Sequence, residues 1–135
     1  MLFPRLDDAS RYWYKVAEAT TDNRLGTGAK ISTGLGEARE ERLICIYTKD
    51  FSDMDDVRRV LDGLVELDFV NLNSPRGIYY KPDAYTYLDI NSGNEYGLQA
   101  SLYSSRDLLG AAPRKSEKQA PRKRGLVQTK LDMIW

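Results

Sequence analysis

The composition of the chain changes abruptly after Gly110, and this change limits how much of the sequence can form a packed core. Residues 1–110 contain 18 acidic and 13 basic residues, whereas residues 111–135 contain 2 acidic and 7 basic residues and are rich in Ala, Pro and Gln. A segment with so few apolar residues cannot bury enough surface to offset the entropy that ordering costs. We therefore predict one folded domain over residues 1–110 and a basic, disordered tail over residues 111–135.

The residue types that are absent or rare exclude several classes of catalytic and metal site. The chain has no histidine, which removes Ser–His and Cys–His catalytic arrangements and most zinc sites. Its single cysteine, Cys45, lies in an apolar run and is interpreted as a core residue. Three aspartates near residue 55 are interpreted as the first turn of a helix rather than as metal ligands. The sequence therefore predicts a protein that is not an enzyme and that uses no metal and no cofactor.

Two features of the sequence indicate where in the cell the protein is located. No apolar stretch approaches the roughly 20 residues that cross a bilayer, and the first eight residues are too acidic for a signal peptide. We expect a cytoplasmic protein with no membrane partner. The tail cluster Arg122, Lys123 and Arg124 is typical of a nuclear localisation signal or of a loose phosphate contact, although a solubilising tail explains it more simply.

Two segments have the periodicity of amphipathic helices. The first spans residues 8–21, with Asp7 or Asp8 as its N-cap and an apolar stripe at i, i+3, i+4 and i+7. The second spans about residues 53–67, is capped by Ser52 or Asp53, and carries aspartates where the helix dipole favours negative charge. Both patterns predict helices that bury one face against a sheet.

Alternating or continuous apolar runs predict the strands of that sheet. Residues 29–33 and 42–48 read as an antiparallel hairpin, and the second run is apolar enough to be central and buried on both faces. Residues 78–80, 84–90 and 96–103 are predicted as further strands, with a bend at Pro82 and a turn at residues 91–94. The sequence therefore predicts an α+β fold.

Three blocks of residues carry a family resemblance over about residues 12–104. The third block is the most specific, because it contains the string Lys-Pro-Asp-Ala-Tyr-Thr at residues 81–86. Together the blocks resemble the basophilic-leukaemia-expressed protein family, an uncharacterised eukaryotic family that includes fungal members. The first block consists of Trp13, Val16 and Ala17 with residues 25–26 and 29–33. The second consists of residues 44–48 with 56–60, and the third of residues 80–88 with 92–94 and Gly97.

The resemblance implies a fold, since that family is similar to the cap-binding translation initiation factor 4E. It implies a curved antiparallel sheet with two helices packed on one face, of which this chain looks like an incomplete C-terminal part. The absent N-terminal part would hold most of the aromatic residues that sandwich a methylated guanine, whereas Trp13 matches a structural helix tryptophan. The resemblance therefore does not imply mRNA cap binding. It leaves open a truncated gene product with no independent activity, a fragment, or a dimer-forming variant.

Cations beside tyrosines on the predicted sheet indicate a ligand face. Aromatic rings next to positive charges are what a nucleotide or single-stranded RNA requires, although cross-strand tyrosine packing explains the same pattern more simply. Tyr85 and Tyr87 are predicted to share one strand face. The candidate ligand-binding residues are Lys30, Arg42, Lys81, Tyr85 and Tyr87.

A second class of function remains open, which is binding of a protein partner. Two amphipathic helices and a weak charge field would suit a protein–protein interaction module that uses its helical face. Partner loss on Arg58→Glu would distinguish this function from RNA or nucleotide binding on the concave sheet face.

Overall fold

A computed structural model describes residues 1–34, 40–71, 73, 77–110 and 133–134 of the chain. The fold is α+β, as predicted, with nine elements in the described residues. Their bounds are α1 Leu6–Thr21, β1 Gly28–Ile31, β2 Ile44–Thr48, α2 Met54–Glu66, β3 Tyr79–Pro82, α3 Ala84–Tyr87, β4 Tyr103–Ser104, α4 Ser105–Leu109 and β5 Met133–Ile134.

The first helix forms where its periodicity predicts, but its N-cap differs from the prediction. Arg5 is the N-cap and makes no side-chain capping bond, so Asp7 and Asp8 lie inside the first turn. Their carboxylates there still favour the helix, because the N-terminal end of a helix carries partial positive charge. Ala9, Val16 and Ala19 are the buried residues of α1.

The predicted hairpin and the second helix are both confirmed. β1 pairs antiparallel with β2, with Lys30 opposite Cys45 and Gly28 opposite Tyr47. Asp53 caps α2 by accepting a hydrogen bond from the Asp56 amide at 3.1 Å. These elements form as predicted because each is encoded by signals within a few residues of itself.

The predicted strand over residues 84–90 is wrong. Residues 84–87 form the short helix α3, and the Ile90 amide continues the turn by donating to the Tyr85 carbonyl at 2.8 Å. Asp83 already has helical backbone angles, so the chain leaves the sheet directly after Pro82. The β-forming residue types at these positions were outweighed by local turn geometry, which is the usual weakness of strand propensity.

The predicted strand over residues 96–103 is also largely wrong, since only Tyr103 and Ser104 pair, as β4. Asn94 explains the difference, because its side chain accepts from the Tyr96 and Leu98 amides and donates to the Leu98 carbonyl. Those backbone groups therefore need no strand partner. Helix α4 follows, opened by a capping box between Ser104 and Asp107 that the sequence contained but that we did not predict.

The sheet is completed by a strand from the predicted tail. Its order is β1-β2-β5-β3-β4 and every pair is antiparallel, so β5 lies between β2 and β3. Ile134 is opposite both Tyr47 and Lys81. Met133 and Ile134 form a strand, although the sequence predicted a disordered tail over residues 111–135. The rest of that tail lies outside the described residues, and so do Arg122, Lys123 and Arg124.

The first residues of the chain occupy the other end of the space between β2 and β3. Leu2 exchanges two backbone hydrogen bonds with Ile44, at 2.8 and 2.9 Å, and the Met1 nitrogen donates to the Tyr79 carbonyl at 3.4 Å. The Leu2–Ile44 pair lies on the same edge of β2 as β5, and Met1 reaches Tyr79 of β3, so residues 1–2 and 133–134 run along one track between the two strands.

One hydrophobic cluster joins both long helices to the sheet. It includes Val16 and Ala19 of α1, four residues of α2, and Ile44, Ile46 and Tyr80 of the sheet, all of them buried. Ile44 and Ile46 share a strand face because side chains alternate along a strand. Inside the cluster the hydroxyls of Thr48 and Tyr80 form a 2.5 Å hydrogen bond, which satisfies two polar groups that are removed from water.

Candidate functional site

The face of the sheet opposite the cluster carries Lys30, Cys45, Tyr47, Tyr79 and Lys81, and we call it the outer face. Strand alternation fixes this set, because Ile44, Ile46 and Tyr80 belong to the buried face and their neighbours must point the other way. Two of the five predicted ligand-binding residues, Lys30 and Lys81, therefore lie on one face as expected.

Lys30 is the centre of a small polar cluster on the outer face. Its Nζ lies 5.2 Å from the centre of the Tyr47 ring and 3.8 Å from Oδ1 of Asp83. The pKa of Lys30 is raised, first by the Tyr47 hydroxyl as a hydrogen-bond acceptor and further by the charge of Asp83. Lys30 therefore keeps its positive charge throughout the physiological pH range.

Lys81 joins this cluster through the strand register. It is half-buried and lies opposite Ile134, which in turn lies opposite Tyr47. One strand therefore separates Lys81 from Tyr47, and Lys30 is next to Tyr47 on its other side. The outer face thus presents one ammonium group beside the Tyr47 ring and a second one strand beyond that ring.

The other three predicted residues lie elsewhere. Arg42 precedes β2, at the end of that strand away from Tyr47, and lines a cavity of about 830 Å³ with Phe3, Arg5 and Glu41. Tyr85 is half-buried and Tyr87 is 83% exposed. Both tyrosines belong to α3, so the prediction that they share one strand face is wrong, since residues two apart on a helix point in different directions.

Sequence reasoning missed Tyr47 and Asp83 as members of the cluster. Tyr47 could have been found from the alternation of β2, which places it on the same face as Cys45 and opposite to Ile46. Asp83 had no such signal, because Lys30 and Asp83 are 53 residues apart in the sequence and meet only through the order of the strands.

Cys45 lies beneath the cluster and is buried. Burial raises the pKa of its thiol, because the charged thiolate loses its hydration there. A thiol held in this form is a poor nucleophile at neutral pH. Cys45 is thus a packing residue of the sheet.

Metal and membrane features are absent from the part of the chain that the structure describes. Within it, no group of three or more His, Cys, Asp or Glu residues is arranged to hold a metal ion. None of its helices is long and apolar enough to cross a bilayer.

Comparison with known proteins identifies the family. The model of the basophilic leukemia-expressed protein Bles03 family matches residues 1–89, which is about two thirds of the sequence. The chain belongs to the Bles03 family. The matched region contains α1, the β1–β2 hairpin, α2, β3 and α3, and so it includes Lys30, Tyr47, Lys81 and Asp83. No solved structure matches the chain.

Proposed function

We propose that this chain is a non-catalytic binding module that holds a nucleotide on the outer face of its sheet. The observation that carries the proposal is the position of the Lys30 ammonium beside the Tyr47 ring, with Lys81 one strand beyond that ring. A ring on which a base can stack and two cations for phosphate are the elements of a nucleotide site.

The extent of the cluster favours a nucleotide over RNA. RNA binding requires a basic surface that follows the backbone over several nucleotides, whereas residues 1–110 carry five more acidic than basic residues. Lys30 beside the Tyr47 ring and Lys81 about 10 Å beyond it, at two strand spacings, match the extent of one nucleotide. The basic residues Arg122, Lys123 and Arg124 would extend such a surface only if the tail folded back over it, so RNA is the second ligand to test.

The position of Asp83 leads to a specific expectation about the affinity for an anionic ligand. Its carboxylate lies 3.8 Å from the Lys30 ammonium and its side chain is 19% exposed, so it competes with a phosphate for the same cation. Replacing Asp83 by Asn removes that competition and retains the shape of the side chain. We therefore expect Asp83→Asn to bind an anionic ligand more tightly than the native chain does.

The experiment is a calorimetric titration of the full chain with ATP, GTP, 7-methylguanosine triphosphate, and capped and uncapped RNA. We expect nucleotide binding that weakens with added salt, is reduced about tenfold by Lys30→Met or Lys81→Met, and is increased by Asp83→Asn. Lys15→Met, on the exposed side of α1, is the matched control. The absence of salt-dependent binding, or equal loss in Lys15→Met, would refute the site.

The family resemblance adds a proposal about the fold. We infer that the sheet is a curved, initiation-factor-4E-like sheet with α1 and α2 on one face, and that the outer face is its concave ligand face. Supporting this, Val16, Ala19 and the buried residues of α2 share one cluster with a single face of β2. We also propose that the protein acts in the cytoplasm, or in the nucleus if residues 122–124 act as a localisation signal.

Binding of a protein partner through the helical face is the alternative function. The outward side of α2 is charged rather than apolar, with Asp55, Arg58, Asp62 and Glu66 all exposed. Charged surfaces of this kind are depleted from the centres of stable interfaces. Co-purification with native chain and with Arg58→Glu tests the alternative, and unchanged partners would count against it.

A further inference from the structure

A second candidate site lies at the end of the sheet away from Asp83, between the first residues of the chain, α1 and the start of β3. It is a groove of about 610 Å³, a volume within the range of small-molecule sites. Four aromatic residues line it: Phe3, Tyr12, Phe69 and Tyr79. We call it the aromatic groove.

Two of its rings are fixed and two are open to solvent. Tyr12 and Phe69 pack against each other, with ring centres 4.9 Å apart and planes inclined by 41°, and both also pack against the hydrophobic cluster. Phe3 is 57% exposed and Tyr79 is 52% exposed. Exposing two large aromatic side chains beside a cavity has no benefit for folding, and exposed apolar patches of this kind commonly mark binding sites.

The charge of the groove indicates the class of ligand. Glu41 is the only charged side chain among the described residues that line it. The Met1 amino group also lies there, but burial lowers its pKa to about 5, so it adds little positive charge at neutral pH. Aromatic faces are electronegative and attract cations, and methylated ammonium groups bind in boxes of such rings. One carboxylate beside several rings therefore favours an organic cation over an anion or a neutral ligand.

We propose that the aromatic groove binds the side chain of a trimethylated lysine within a basic peptide. Trimethylation removes the ammonium's hydrogen-bond donors, so the cation leaves water more easily than an ordinary lysine does.

The charge of the whole domain favours a basic peptide as the carrier. Residues 1–110 contain 18 acidic against 13 basic residues, and an acidic surface attracts a lysine-rich segment by complementary charge. The groove and the Lys30 cluster share no residue, so this inference does not depend on nucleotide binding.

The rings are not expected to contribute equally. Arg11 already lies 5.9 Å from the centre of the Tyr12 ring and is held by Asp8 at 2.7 Å. A cation in that position reduces what Tyr12 can offer to a second one. Phe3 and Tyr79 should therefore supply most of the attraction to the ligand, with Glu41 adding charge.

The experiment compares three short peptides that differ at one side chain: trimethyl-lysine, unmodified lysine, and the neutral analogue in which carbon replaces the ammonium nitrogen. Each is titrated into the full chain by fluorescence anisotropy. We expect trimethyl-lysine to bind about tenfold more tightly than either of the others. Equal affinity for the neutral analogue would show that the groove is merely apolar and would overturn the proposal.

Variants locate the binding. Phe3→Ala and Tyr79→Ala should each reduce trimethyl-lysine affinity at least fivefold, while Tyr14→Ala, an equally exposed tyrosine of α1 outside the groove, should leave it unchanged. Glu41→Gln should weaken the trimethyl-lysine peptide and leave the neutral analogue unaffected, a result that loss of folding cannot produce. Tighter binding of phosphocholine than of the peptide, or no effect of Phe3→Ala, would contradict the proposal.

Discussion

The two faces of the sheet differ in what covers them. Ile44, Ile46 and Tyr80 on one face are fully buried under the helices, whereas on the outer face Lys30 and Tyr79 keep about half of their side-chain surface in contact with solvent. The difference separates two tasks within one sheet. The buried face supplies most of the free energy of folding, whereas on the outer face Cys45 is buried and Lys30 and Tyr79 can reach a ligand.

The largest loss of stability is expected from a variant that leaves a cavity on the buried face, under the helices. Ile46 is completely buried in the cluster, so Ile46→Ala loses both transfer free energy and packing contacts. We expect the free energy of unfolding to fall by about 2–5 kcal/mol. Urea denaturation measures it, with Leu98→Ala as the control, since Leu98 is 49% exposed. A loss of equal size in both variants would mean that the cluster is not the core.

The next largest loss of stability is expected at Gly26, where the chain before β1 passes close to the end of β2. A Cβ added at Gly26 would lie 1.8 Å from the Tyr47 carbonyl oxygen, whereas one at Gly28 would have no atom within 4 Å. Gly26→Ala must therefore move the backbone, and we expect it to cost about 1–3 kcal/mol of stability.

Gly28→Ala is the matched control for this backbone contact. It should be close to neutral in the same denaturation experiment. If Gly26→Ala were equally neutral, the hairpin would have to be able to shift away from Tyr47, and the position of Tyr47 on the outer face would be less well fixed than the structure indicates.

A smaller expected effect is a loss of folding stability at alkaline pH that is due to Tyr80 in the core. Burial raises the pKa of Tyr80 to about 12, while an unfolded tyrosine titrates near 10. The stability due to this residue is therefore complete below about pH 10 and is lost as the pH rises toward 12, since the unfolded chain releases the proton first.

Tyr80→Phe should flatten this alkaline loss of stability and, at neutral pH, should lower stability by about 1 kcal/mol because the Thr48 hydroxyl loses its partner. Denaturation between pH 7 and 11 measures both effects. Tyr87→Phe is the control, since Tyr87 is 83% exposed and its removal should leave the pH profile unchanged. An unaltered profile in Tyr80→Phe would show that another group governs alkaline unfolding.

The smallest effect on stability is expected on the outer face. The Lys30–Asp83 contact is long, at 3.8 Å, and the lysine side chain is 52% exposed, so water screens the attraction. Lys30→Met should change the free energy of unfolding by less than about 0.5 kcal/mol, although it should reduce nucleotide affinity. A larger loss in the denaturation experiment would mean that Lys30 holds the fold together and is not primarily a ligand residue.

The amino-acid sequence by itself determined the elements whose signals are local. The apolar periodicity of residues 54–66 with its Asp53 cap, and the apolar run around Ile44 and Ile46, specified α2 and the β1–β2 hairpin. Helical and strand periods identify the buried side of an element without knowledge of its partner.

Tertiary structure decided the features that depend on distant partners. Residues 84–90 had the composition of a strand, but they pair with none of the described strands, and residues 84–87 form the short helix α3. Met133 and Ile134 lie in a segment of tail-like composition, yet they form a strand because β2 and β3 leave backbone hydrogen-bonding groups for them to pair with. Pairing free energy of this kind depends on which strands are adjacent in space, and strand order is not encoded in any local pattern.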